Sequence, residues 1–310
     1  MDLRPLGGSG LETPRLVLGG NVFGFTAKGE DAYRILDRFA EAGGTMIDTA
    51  DVYSKCVPGH VGGESETLLG EWLKRRGGKK GVTIATKVGF DAGLSAAEIE
   101  RACEGSLRRL GVERIDLYYA HKDDEATPLE ETLGAFDRLV KAGKVGALGA
   151  SNFSAERLAG ALDLSERAGL ARYEVLQPEY NLMVRDSFEG PLQQVCIERG
   201  LGVLPYFGLA SGFLTGKYRS AADKTKSVRG PRMDAYLNER GFAVLAALDE
   251  VAAQTGATPA QVALAWLAAQ PGVTAPIASA TSPAQLEELL GVLTLELSAD
   301  QLATLDAAAG

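Results

Sequence analysis

Eight short apolar strands, each followed by an amphipathic helix, predict an α/β protein: a closed (β/α)8 TIM barrel with an N-terminal β-hairpin and two extra helices. Two observations carry this reading. The strands are non-alternating runs such as V-T-I-A-T and V-G-A-L-G-A, as expected where both faces of a parallel sheet are buried. No Gly-x-Gly-x-x-Gly turn follows an early strand, and Gly19-Gly20-Asn21 is not that fingerprint. An even set of similar units then favours a closed barrel over an open doubly wound sheet.

The elements follow in order. Residues 4–6 and 11–13 flank G-G-S-G and read as a hairpin, within residues 1–14, placed to plug the barrel bottom. R-L-V-L-G-G, residues 15–20, is the first barrel strand. Residues 30–43 have helical spacing, with Ala32, Ile35, Leu36 and Phe39 on one face. T-M-I-D is the second strand, and residues 64–76 form its helix, with Leu68, Leu69, Trp72 and Leu73 inward. V-T-I-A-T, residues 82–86, is the third strand. Ser95 and Glu98 read as a capping box for a helix reaching Leu110. The fourth strand is R-I-D-L-Y-Y-A, residues 114–120. Thr127 and Glu130 suggest a second capping box, with Pro128 at the first helical position of a helix to about Ala142. Strands five to eight are V-G-A-L-G-A, Y-E-V-L-Q, L-G-V-L-P-Y and T-A-P-I-A, the last at residues 274–278. Helices are expected at residues 154–169, near 187–199, twice within 239–270, after Ser282 and after Ser298. Residues 208–238 are left as a long irregular connection carrying Lys217, Arg219, Lys224, Lys226, Arg229 and Arg232. Loops of this length are commonly lids over a site or disordered. No linker divides the chain, so residues 1–310 read as one domain.

Composition narrows the partners. A net charge of -9 disfavours nucleic acid and anionic membranes, although a small anionic ligand needs only a local positive site. Cys56, Cys103 and Cys196 are too few and too scattered for a disulfide or zinc framework, and read as reduced thiols. The M-D-L-R-P-L start lacks the apolar region of a signal peptide, and no apolar run of about 18 residues occurs, so a cytoplasmic location is expected.

In a parallel barrel, residues at the ends of the strands share one mouth. Asp48, Lys87 and His121 end strands two, three and four, and Tyr53 follows on the loop after Asp48. Singly, each has an ordinary structural explanation: a cap, a solvated charge, a packed ring. His60, in P-G-H-V-G-G, reads as surface. Together the four form equipment for acid catalysis. A phenol with an ordinary pKa of about 10 is a poor acid, and an ammonium beside it lowers that value. Lys87 supplies the ammonium, Asp48 holds it, and His121 can donate to a substrate oxygen. One His and one Asp are too few ligands for a metal. Phe23, Phe25, Tyr53 and Phe90 could wall an aromatic pocket, though core packing is an equal reading for Phe90.

These residues stand in longer motifs. G-G-T-M-I-D-T-A-D-V-Y-S, A-T-K at Lys87, I-D-L-Y-Y-A-H at His121, G-A-S-N-F, L-Q-P-E-Y-N-L and S-G-F-L-T-G-K-Y occur in order, each at a strand end. Across essentially the whole chain the sequence resembles the aldo-keto reductase family. The resemblance implies NADPH-dependent reduction of an aldehyde, ketone or keto-sugar, with NADH as the alternative cofactor. It implies Tyr53 as general acid with Asp48, Lys87 and His121 beside it. Gly20, Asn21 and Asp48 fall among its cofactor contacts. Ser151, Asn152 and Gln177 fall where the family holds the carboxamide, and Tyr206 where an aromatic stacks on the nicotinamide. Phe207, Gly208, Leu209, Ser211, Gly212, Lys217 and Arg229 match the pyrophosphate segment, and Ser279, Thr281, Gln285 and Glu288 the adenosine end. The chain departs from the family in three places. Phe207-Gly208-Leu209 replaces a common Ser-Pro-Leu, which suggests a looser loop. Leu289 replaces a frequent Asn. Residues 276–290 contain no Lys or Arg, so a 2'-phosphate would rest on Ser279, Thr281, Ser282, helix N–H groups and a distant arginine. Two other readings use the same residues: a cofactor-sensing regulatory subunit with little turnover, as in relatives that serve membrane channels, and an eliminase or isomerase using Tyr53 and Lys87 without redox change. The sequence leaves monomer and homo-oligomer both open.

Overall fold

The computed structural model describes residues 2–227 and 229–310. β1 (Arg4–Pro5) and β2 (Glu12–Thr13) pair antiparallel as the N-terminal hairpin. Eight strands follow: β3 (Val17–Gly19), β4 (Met46–Asp48), β5 (Thr83–Val88), β6 (Ile115–Ala120), β7 (Val145–Ser151), β8 (Tyr173–Gln177), β9 (Gly202–Val203) and β10 (Ile277–Ala278). They form one sheet in the order β10-β3-β4-β5-β6-β7-β8-β9, every neighbouring pair parallel. The ring closes through less regular backbone: Thr274 N donates to Val203 O at 2.9 Å and Ile277 N to Pro205 O at 2.8 Å. The (β/α)8 barrel with its hairpin is therefore the architecture found.

α1 (Gly29–Glu41), α2 (Glu64–Arg76), α3 (Ala96–Leu110), α4 (Leu129–Lys141), α5 (Ala155–Ala168) and α6 (Pro191–Glu198) follow β3 to β8 in turn. α7 (Glu239–Thr255) and α8 (Pro259–Ala269) both lie between β9 and β10, α9 (Pro283–Leu290) follows β10, and α10 (Ala299–Ala309) ends the chain. α8 is apolar all round because it is enclosed by α7, α9 and the loop after β9. None of the helices described is long and apolar enough to cross a membrane.

Several local expectations change. The strands at 201–206 and 274–278 shrink to two residues each, because Pro205 and Pro276 have no N–H to give the ladder. β5 runs on to Val88, so Lys87 lies within the strand, paired in register with Tyr119. Thr258 with Gln261 and Ser298 with Gln301 form complete capping boxes. Ser95 caps α3 through Glu98 N, but the Glu98 carboxylate turns to Arg101 instead of closing the box. The box at Thr127 does not form: Thr127 Oγ1 donates to Asp124 Oδ2 at 2.7 Å, and Pro128 takes the cap position. The connection 208–238 is built of three short 3-10 turns, Ala210–Thr215, Ala221–Lys226 and Gly230–Ala235.

The interior of the barrel places the site. Val17, Met46, Ala85, Leu117, Tyr119, Ala147, Val175, Leu204 and Ala275 pack inside the ring, with Leu6 of the hairpin filling its base. Gly7 lets the hairpin press this close, since a Cβ there would lie 2.4 Å from Glu174 O, and its φ is 56°. The Tyr119 ring fits because Gly149 opposite has no side chain; a Cβ would sit 2.3 Å from the ring. Strand side chains alternate, so the inward residue two places beyond each apolar one faces the mouth. Met46 is followed in this way by Asp48, Ala85 by Lys87, Tyr119 by His121 and Val175 by Gln177.

Truncating the plug should leave a cavity under the whole site. Leu6→Ala is expected to cost about 2–5 kcal/mol, read as a lower denaturant midpoint with an unchanged slope.

Candidate active site

Lys87 is fully buried, and its ammonium has three acceptors: Asp48 Oδ2 at 2.5 Å, Thr49 O at 2.8 Å and Tyr53 OH at 2.9 Å. An ammonium carries three donors, so this set uses all of them. The phenol oxygen accepts from Lys87, which leaves its own proton directed away from Lys87. Gln177 Nε2 donates to Asp48 Oδ1 at 2.8 Å, so both carboxylate oxygens are held. The β4–α2 loop brings Tyr53 over the mouth by a turn at Ser54, whose φ is 70° and whose Oγ donates to Phe23 O at 2.8 Å. The four residues expected to converge are therefore adjacent in space. The Tyr53 ring meets His121 edge-on at 5.9 Å, and Phe90 lies 4.8 Å from His121.

The electrostatics differ from the simple expectation at Tyr53. Burial first, then the charge of Asp48 and a hydrogen bond to its carboxylate, hold this phenol well above its ordinary pKa. Asp48 claims much of the ammonium's field, so Lys87 alone does not make Tyr53 acidic in the resting site. Burial likewise lowers Lys87, and Asp48 opposes that shift. His121 is pushed down to about 2 by burial, then by Lys87 and Lys122, so its ring is neutral. Its Nδ1 is buried without a partner. An orphaned N–H is costlier than an orphaned lone pair, which places the proton on Nε2.

A second network runs around the mouth. Ser151 Oγ donates to Gln177 O at 2.8 Å, Asn152 Nδ2 to His121 O at 2.9 Å, and Tyr206 OH to Asn152 Oδ1 at 2.7 Å. Asn152 takes a φ of 56°, a conformation Asn tolerates better than most residues. Beyond Tyr206 the backbone is strained: φ is 55° at Phe207, 46° at Ala210 and 58° at Ser211, followed by Gly212 at 98°. Such runs of left-handed residues turn N–H groups into anion-binding hollows. The segment is not loose, as its departure from Ser-Pro-Leu suggested. A Cβ at Gly208 would lie 2.9 Å from Leu264, so glycine lets the loop pack tightly on α8, and Asn181 Nδ2 holds Phe207 O at 3.0 Å.

The six basic residues of this connection divide in two. Arg219, Lys224 and Lys226 are paired with Asp249, Asp234 and Asp223. Lys217, Arg229 and Arg232 have no ion pair among the described residues. Lys217 Nζ lies against Gly212, where a Cβ would be 3.4 Å away, and the Arg232 guanidinium is 5.9 Å from the Phe207 ring centre. Burial and the charge of Arg232 both lower the Arg229 pKa, as two neighbouring cations without a counter-ion must. Arg232 N donates to Arg229 O at 3.0 Å, the i,i+3 contact of one 3-10 turn.

Across the mouth, Ser279 Oγ donates to Asn21 Oδ1 at 2.7 Å and sits against Gly19, while Gly20 packs on Asp48 O. Thr281 donates to Gln285 Oε1 through both N and Oγ1, at 2.8 and 2.9 Å. Leu289 is buried in the core, so an amide at this position is replaced by packing. Glu288 is held through its carbonyl, which accepts from Gln261 Nε2.

A closed parallel barrel with a buried Lys–Asp pair under a phenol defines a catalytic class of protein. The profile of the Aldo/keto reductase family matches residues 15–309, and the chain belongs to this family of oxidoreductases. It is 34% identical to the aldo-keto reductase str7 of Strobilurus tenacellus, over 91% of this chain and 82% of that protein. It is 31% identical to a probable voltage-gated potassium channel subunit beta of Arabidopsis thaliana, over 93% and 90% respectively. It is 32% identical to the aldo-keto reductase yakc [NADP(+)] of Schizosaccharomyces pombe, over 85% and 78%.

The depressed His121 predicts an acid-sensitive fold. An unfolded chain binds a proton at this ring below about 6.5, whereas the folded ring resists protonation until about 2. This contribution is present above pH 6.5 and is lost as pH falls below it. Between pH 7 and 5 the protein should lose on the order of 2 kcal/mol that His121→Gln does not lose, measured by urea unfolding at both pH values.

Proposed function

We propose that the protein reduces an aldehyde, ketone or keto-sugar carbonyl to an alcohol, with NADPH as cofactor, NADH as the alternative, and Tyr53 as general acid. The observation that carries the reading is the buried Lys87 ammonium donating to both Asp48 Oδ2 and Tyr53 OH, which sets a phenol beside the neutral His121 ring at the mouth. The nicotinamide, when bound, supplies a hydride to the carbonyl carbon. Tyr53 then gives its proton to the oxygen, and the oxygen's developing charge lowers the cost of that transfer. Lys87 stabilises the phenolate that remains, at 2.9 Å. His121, neutral and donating from Nε2, orients the substrate oxygen. The whole chain acts as one domain in this reading, with a small-molecule carbonyl compound as its partner.

The cofactor fits the residues present. Lys217 and Arg232 offer cations without ion pairs among the described residues, near a strained hollow at Ala210, Ser211 and Gly212, which suits a pyrophosphate. Ser151, Asn152 and Gln177 offer amide and hydroxyl groups for a carboxamide, Tyr206 an aromatic face, and Ser279, Thr281, Gln285 and Glu288 polar groups for adenosine. With no cation between residues 276 and 290, Arg229 is the arginine we assign to a 2'-phosphate. The name of the yakc relative, which includes NADP(+), supports this choice. The Arabidopsis thaliana relative, named as a channel subunit, favours a second reading as a cofactor-binding regulatory subunit. Steady-state oxidation of NADPH with a panel of aldehydes, ketones and keto-sugars separates the two, since a sensor would turn over little or not at all.

Tyr53→Phe keeps the ring but removes the proton. Turnover should fall about a hundredfold or more while NADPH still quenches protein fluorescence with similar affinity. An unchanged rate would remove Tyr53 from the role of acid. Arg229→Ala should weaken NADPH roughly tenfold to a hundredfold and NADH far less, measured by the same quenching. Equal losses for both would move Arg229 to the pyrophosphate.

A further inference from the structure

The loop that carries Tyr53 leaves β4 at Thr49 and reaches the first turn of α2 at Ser65. At the base of the loop these two residues meet: Thr49 Oγ1 and Ser65 Oγ lie 2.7 Å apart, and both residues are fully buried. Ser65 Oγ also donates to Gly20 O at 2.8 Å. A hydroxyl has a single proton to give, so Ser65 accepts from Thr49, and the chain of bonds runs from Thr49 through Ser65 to Gly20. Gly20 admits this approach, since a Cβ there would lie 3.1 Å from Ser65 Oγ. Thr49 is committed at its other polar groups as well. Its N–H donates to Ala85 O at 2.8 Å, and its carbonyl accepts from Lys87 Nζ at 2.8 Å. The next residue of α2 grips the neighbouring strand: Glu66, also buried, accepts from Thr86 Oγ1 at 2.6 Å, one position before Lys87. The first turn of α2 therefore bears on β5 beside Lys87 and on the carbonyl that Lys87 binds.

We propose that Ser65 is a positioning residue for the proton-donating pair, acting through Thr49 on the Lys87 ammonium. The proposal rests on the assignment of Tyr53 as general acid. Lys87 divides its protons among Asp48, the Thr49 carbonyl and Tyr53, so the direction of each bond limits the other two. A Thr49 carbonyl free to tilt lets the ammonium turn, and the 2.9 Å contact with Tyr53 is then no longer fixed. The same Thr49–Ser65 bond closes the base of the Tyr53 loop, so one hydroxyl steadies both the phenol and its ammonium. The rest of the loop has anchors of its own. Ser54 Oγ donates to Phe23 O, and the Glu64 carboxylate accepts from Val61 N at 2.8 Å and Gly62 N at 3.1 Å. Loss of the Ser65 hydroxyl should therefore leave the fold and the loop in place while releasing the carbonyl.

Exchange of the Lys87 ammonium protons with water, followed by NMR of isotope-labelled lysine Nζ, reads this effect without turnover. Lys87→Met identifies the signal. The protons should be protected in the native protein and exchange about tenfold faster or more in Ser65→Ala and in Thr49→Val. The two changes break the same bond, so the double variant should exchange no faster than Ser65→Ala. Thr49→Ser keeps the hydroxyl and should stay near native. In turnover, Ser65→Ala should lower kcat about tenfold, with KM for the carbonyl and NADPH affinity within about twofold of native. Unchanged Lys87 exchange in Ser65→Ala, free exchange already in the native protein, or additive effects in the double variant would overturn the proposal. A loss of NADPH affinity equal to the loss of kcat would do the same, since it marks a general loosening. Absence of carbonyl reduction by the native protein removes the assignment of Tyr53 and this proposal with it, whereas unchanged exchange in an active protein removes this proposal alone.

Discussion

A fully buried ammonium has to be neutralised where it stands, and Lys87 dictates the arrangement around it. Its three donors fix Asp48, the Thr49 carbonyl and the Tyr53 phenol at hydrogen-bond distance. Asp48 in turn is held from across the barrel by Gln177. Removing one member would strand a charge in a low-dielectric interior, so the group stands or falls together. The same confinement keeps His121 neutral and Tyr53 protonated. Groups that would be charged or solvated in water are forced into defined states.

This confinement needs a dry floor. The barrel supplies it with Leu6, Val17, Met46, Ala85, Leu117 and Val175, and with the Tyr119 ring that Gly149 admits. The hairpin is therefore part of the site's support and not an appendage. Strand alternation places the polar layer directly above the apolar one, two residues later on each strand. The loops contribute the second ingredient, uncompensated charge. Among the described residues, Lys217, Arg229 and Arg232 stand without ion pairs near a strained backbone. Unbalanced charge at the surface of a barrel mouth costs stability unless a ligand completes it.

Most of the fold was legible because buried parallel strands and amphipathic helices have distinct periods. α2 and β8 run as their patterns indicated, at Glu64–Arg76 and Tyr173–Gln177. The misreadings have local causes. Pro205 and Pro276 trimmed two strands by withholding N–H groups, and Asp124 drew Thr127 away from capping α4. Neither event is visible in hydrophobic periodicity. The convergence of Asp48, Tyr53, Lys87 and His121 was legible because strand ends in a parallel barrel meet by construction.

By itself the sequence determined the order of the eight units, the residue types at each strand end, and the family motifs that join them. These depend on side-chain period and chain connectivity, which are local properties. Tertiary structure alone decided which charges are balanced. Arg219 and Arg229 look alike in the sequence, yet one finds Asp249 and the other finds another arginine. Ion pairing depends on distances between residues far apart in the chain, and those exist only once the barrel has closed.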